Sequence, residues 1–87
     1  MGKLPVVSGA QLVRVLEKAG FQILRQRGSH IVLQKRDTDR IRTTVVPDHR
    51  ELAKGTLSGI LKQAQLTPDD LVRLLTVVLG ITVVFKK

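Results

Sequence analysis

Three short β-prone runs, separated by turn residues, constrain this chain more than any other feature. They cover residues 21–26, 30–35 and 40–46, and the third is rich in β-branched side chains. Arg27-Gly28-Ser29 closes the first run, Arg36-Asp37-Thr38-Asp39 closes the second, and Pro47 stops the third. Such connections are too short for a crossover, so the runs must pair as an antiparallel meander. Alternation puts Ile31 and Leu33 on one face, where Ile41 and Val45 are expected to join them in a core. His30, Val32 and Gln34 then take the other face, with Arg42 and Thr44.

The meander alone cannot bury a face, and the flanking segments supply what covers it. Upstream, Leu12, Val15, Leu16 and Ala19 fall at i, i+3, i+4 and i+7, which predicts a helix over residues 10–19. Ser8 and Gln11 form a capping-box pattern at its start, and Gly20 offers a left-handed stop. Downstream, Leu57, Ile60, Leu61 and Ala64 repeat the helical spacing, with Thr56 as the expected N-cap. A third helix opens at Thr67-Pro68-Asp69-Asp70: a Thr cap, Pro at the first position, acids in the first turn. Helices on one face of an antiparallel sheet, with the other face open, make an α+β two-layer sandwich of order helix–three strands–helix. At 87 residues the chain is one domain, expected over residues 1–75. Residues 76–87 form an apolar C-terminal extension, read as an added strand, a partner-binding segment or a segment foreign to the domain.

Composition then excludes whole classes of chemistry. Without cysteine there are no disulfides, thiolate metal sites, thiol nucleophiles or iron–sulfur clusters. Phe21 and Phe85 are the only aromatic residues, so no base-stacking platform exists. Neither dinucleotide-binding nor phosphate-loop glycine spacing occurs, and the carboxylates are scattered over caps and turns rather than paired. Two histidines offer only a sparse metal site, so no metal or cofactor is expected. The N-terminus lacks a secretory pattern and the longest apolar stretch is too short to span a bilayer, so a cytoplasmic location is expected.

Fifteen Lys and Arg against seven Asp and Glu give a net charge of +8, an imbalance that points to a polyanionic partner. The cations cluster around the turns: Arg25 and Arg27 before Gly28, and Lys35, Arg36, Arg40 and Arg42 around the second turn. Arg50, Lys54 and Lys62 continue the set. Among them His30 stands at a strand start after a tight glycine turn. An imidazole there could move the proton of a ribose 2′-hydroxyl or of a leaving 5′-oxygen, while nearby cations neutralise charge on the phosphate. His49 has the plainer reading of a loop residue that caps or binds phosphate.

These residues also match a known pattern. Ser8 to Phe21, Gly28-Ser29-His30, Val45-Val46-Pro47-Asp48-His49, and Gly55-Thr56-Leu57 with Ile60-Leu61-Lys62-Gln63-Ala64 occur in the order found in HicA toxins. The chain resembles that family of type II toxin–antitoxin systems, with two departures: the tail from Thr76 to Lys87 goes beyond the usual short domain, and Gln65-Leu66 stands where a Gly-Leu or similar pair is more usual. The resemblance implies a double-stranded-RNA-binding-like fold and an endoribonuclease that cleaves messenger RNA, which a lone histidine among cations is expected to do without a metal. It places the toxicity histidine on His30 and implies a HicB-type antitoxin partner. The expected RNA-binding residues are Arg25, Arg27, Gly28, Ser29, Lys35, Arg36, Arg40, Arg42 and His49. A non-catalytic RNA-binding module is the alternative, and an interaction protein acting through the extension is a third possibility.

Overall fold

A computed structural model describes residues 3–80. The order is α1 (Gly9–Lys18), β1 (Gln22–Arg27), β2 (His30–Arg36), β3 (Ile41–Pro47), α2 (Lys54–Ala64) and α3 (Pro68–Leu79). The strands form one antiparallel sheet in the order β1-β2-β3, the meander that the short turns demand. The arrangement is an α+β sheet with one open face, consistent with a double-stranded-RNA-binding-like fold.

Local chemistry sets most of the boundaries. Ser8 accepts from the Gln11 amide at 3.0 Å while Gln11 Oε1 accepts from the Ser8 amide at 3.0 Å, a complete capping box for α1. Thr67 and Asp70 repeat this reciprocal pair at α3, with Pro68 in the first turn. The expected Thr56 cap is corrected: α2 begins one turn earlier, behind an extended Ala53 that offers no side-chain cap. Of the readings open for the extension, the added strand does not hold for residues 76–79. Residues 76–79 complete α3, which ends on a left-handed Gly80, and residues 81–87 lie outside the described residues.

The predicted helix stripes are buried, Leu12, Val15 and Leu16 from α1 and Leu57, Ile60, Leu61 and Ala64 from α2, while Ala19 caps α1 half-buried. Leu71 and Leu75 of α3 join them, with α3 packed against α1. The sheet contributes Ile31, Leu33, Val46 and Thr44.

The last two correct the face assignment of β3. Register pairs Ile31 with Val46 and Leu33 with Thr44, and directly opposed residues share a face. Val46 and Thr44 therefore face the helices, while Ile41 is 55% and Val45 42% exposed on the open side. β3 carries β-branched residues at both alternating sets of positions, so its hydrophobicity does not say which set turns inward. A hydrogen bond from Thr44 Oγ1 to Gln63 Oε1 (2.7 Å) satisfies the buried hydroxyl.

Candidate nucleic-acid interface and catalytic centre

The β1–β2 turn is two residues long, with Gly28 at φ +54°, a conformation that a side chain would strain. It brings Arg27 directly opposite His30. On the other side of β2, His30 pairs with Pro47, the last residue of β3. Beyond Pro47 the chain is tied down by backbone bonds. The Asp48 amide donates to the Ser29 carbonyl (2.6 Å), and the His49 amide donates to that of Pro47 (2.9 Å). The Gly9 amide of α1 donates to the His49 carbonyl (2.8 Å). Two motifs far apart in sequence, Gly28-Ser29-His30 and Pro47-Asp48-His49, thus meet at one end of the sheet.

Gly9 makes that meeting possible. A Cβ there would collide with the Pro47 carbonyl oxygen and lie 2.9 Å from Asp48 Cα. The sequence signal for this was slight: a glycine directly after a Ser cap, where almost any residue makes a better helix.

A β-bulge decides where the arginines of β1 face. The register shifts between Ile23 and Arg25, so Arg25 opposes Val32 and Arg27 opposes His30. With unbroken alternation from the Gln22–Gln34 pair, both arginines would have turned to the helix side. The bulge instead sets Arg25 and Arg27 on the open face beside His30. Both are exposed, and neither makes an ion pair among the described residues.

The remaining predicted site residues divide into two further groups. Arg36 and Arg40 flank the β2–β3 turn at the opposite end of β2. That is about 20 Å from His30 at the usual rise per residue, so only a substrate running the length of the open face meets both. Lys35 and Arg42 face the helices, which corrects the expectation that Arg42 shares the face of His30. Lys35 Nζ donates to the Ala19 carbonyl at the end of α1 (2.8 Å). Arg42 donates to the Ala64 carbonyl at the end of α2 (3.0 Å) and to Asp37 Oδ2 (2.6 Å). Its guanidinium holds the Asp37 carboxyl below the usual carboxylate range by that hydrogen bond. Cations at helix C-termini satisfy orphan carbonyls and oppose the negative end of the helix dipole. Both side chains are engaged with the helix layer.

His30 is exposed, and its imidazole makes no hydrogen bond among the described residues. The same holds for His49, while Ser29 and Asp48 beside them are exposed as well. The end of the sheet therefore carries two solvent-facing imidazole residues with Arg27 next to one of them. Among the described residues no group of three or more His, Asp or Glu gathers as a metal site, and no helix is long and apolar enough to cross a membrane.

Residues 9–66 fit the family described as HicA toxin of bacterial toxin–antitoxin, a span running from the start of α1 to just past α2. No curated protein matches the chain.

Proposed function

The chain belongs to the HicA toxin family of bacterial toxin–antitoxin systems, and on that premise we propose that it is an endoribonuclease cleaving messenger RNA in the cytoplasm. His30 supplies the acid–base group, Arg25 and Arg27 hold the phosphates, and a HicB-type antitoxin covers this end of the sheet. The observation that carries this reading is the convergence of Gly28-Ser29-His30 and Pro47-Asp48-His49 at one exposed end, with the β1 arginines turned to the same face.

Cleavage begins with attack of the ribose 2′-oxygen on the adjacent phosphorus. In this reading the His30 imidazole moves the proton that this attack requires, and arginines stabilise the charge that accumulates on the phosphate oxygens. The product is a 2′,3′-cyclic phosphate and a free 5′-hydroxyl, and the reaction requires no metal. Gly28 and Ser29 serve through the backbone. Gly28 permits the tight turn, and the Ser29 carbonyl anchors the loop that bears His49.

The test is a time course on a labelled single-stranded RNA in EDTA, with wild type and His30→Ala side by side. Cleavage by wild type alone, leaving a cyclic phosphate end, is the expected result. Binding by both proteins without cleavage by either would replace this reading with a non-catalytic RNA-binding module. A 3′-hydroxyl end, or activity abolished by EDTA, would overturn the chemistry.

A further inference from the structure

We propose that His49 is a second acid–base residue, so that His30 and His49 divide between them the two proton transfers of RNA cleavage. The inference rests on the ribonuclease reading and adds a catalytic partner to it. The reaction moves protons in opposite senses. As the 2′-oxygen–phosphorus bond forms, the 2′-hydroxyl must lose a proton. As the phosphorus–5′-oxygen bond breaks, the departing oxygen must gain one. A base and an acid present together serve both needs in one step, and two imidazoles can be that pair.

His49 lies in the loop that begins at the register partner of His30. Pro47 is the register partner of His30, and the turn at Asp48 carries the chain only two residues further. Bonds from Asp48 to Ser29, from His49 to Pro47 and from Gly9 to His49 involve main-chain atoms alone, so the loop is fixed without using the imidazole. That side chain is exposed and caps nothing among the described residues. The structural roles open to a loop histidine are thus filled by backbone. The charged residues adjacent in the loop are Asp48, Arg50 and Glu51, and Arg27 lies across β2 from Pro47. The first turn of α1, which contains no acid, packs against the same loop.

The decisive measurement compares wild type, His30→Ala and His49→Ala on a short RNA and on the same RNA with sulfur replacing the scissile 5′-oxygen. A thiolate leaves without being protonated, so the modified substrate has no need of the acid. On ordinary RNA, His49→Ala should lose about 10²- to 10⁴-fold in kcat with little change in KM. It should also lose one limb of the pH–rate profile. On the sulfur substrate one of the two variants should recover and the other should not.

A raised KM at unchanged kcat would make His49 a phosphate contact and overturn the proposal. A full rate for His49→Ala, or recovery of both variants or of neither, would overturn it equally. Thermal melting checks that His49→Ala is folded, and His49→Gln is measured in its place if it is not. Wild type that fails to cut RNA would bring down the ribonuclease reading itself. Wild type that cuts while His49→Ala cuts equally well would bring down this inference alone.

Discussion

The two faces of the sheet carry the same kinds of residue and use them in opposite ways. On the helix side, Lys35 and Arg42 are half-buried and each donates to the last carbonyls of a helix. On the open side, Arg25 and Arg27 are exposed and unpaired among the described residues, beside an imidazole without a protein partner. Net charge therefore does not measure the binding surface. Part of it is committed to holding helix ends, and only the remainder is free to meet a polyanion.

The largest expected contrast comes from exchanging a site residue for a scaffold residue. His30→Ala should reduce RNA cleavage by about 10²- to 10⁴-fold and leave thermal stability within about 0.5 kcal/mol. A melt shifted by several degrees would show that His30 belongs to the scaffold and that the division between faces is wrong.

Arg42→Ala should do the reverse, costing about 1.5–3 kcal/mol of stability and leaving the salt dependence of RNA binding unchanged. Arg25→Ala or Arg27→Ala should leave the melt alone and reduce the salt slope on single-stranded RNA by about 0.7 for each phosphate no longer neutralised. A shallower slope in Arg42→Ala would break the comparison. Acid sharpens it. Asp37 is held below its ordinary range by Arg42, so its contribution is present above the ordinary carboxyl pKa and is lost as pH falls through the lowered value. The stability gap between wild type and Arg42→Ala should therefore narrow below about pH 4, without closing, because the bond to the Ala64 carbonyl does not titrate.

Gly9 lies at the seam between scaffold and site. Gly9→Ala should destabilise by about 1–3 kcal/mol through overpacking against Pro47, although alanine is the better helix former. Cleavage should fall with stability, since the same contact positions His49. A stabilised Gly9→Ala with full activity would show that the α1–loop contact yields without cost.

How much of this was legible in the sequence follows from what each signal encodes. Helix stripes and caps are local, and Leu12, Val15, Leu16, Ser8 and Gln11 read correctly because their partners lie within one or two turns. Turn residues fixed the meander for the same reason. The orientation of β3 was not legible, because Ile41, Val45 and Val46 look alike until the register with β2 decides between them. Arg25 and Arg27 reach the open face by way of the bulge, which no local pattern announced. The tie of Arg42 to the end of α2 was not legible, because it joins residues 22 positions apart. His30 was legible as a motif, while its approach to the Pro47–His49 loop is a long-range consequence of pairing.

The smallest effect concerns Gln65, the place where the chain departs from the usual glycine. It is the only non-glycine residue with positive φ among those described, at φ 59° and ψ 42°, immediately after α2. The Gln65 amide donates to the Lys62 carbonyl (3.1 Å) and the Leu66 amide to that of Leu61 (2.9 Å), so the left-handed residue is what turns the chain and closes the helix end. An L side chain there costs about 1–2 kcal/mol, which glycine avoids, though glycine gives back part of the gain through its freer unfolded chain. Gln65→Gly should therefore raise stability by less than about 1 kcal/mol and leave RNA binding and cleavage unchanged, since Gln65 lies with the scaffold, next to the carbonyl that Arg42 holds. A lower melting temperature would mean that the glutamine side chain contributes more than its backbone conformation costs. A change in cleavage would mean that the end of α2 belongs to the functional face and not to the helix layer alone.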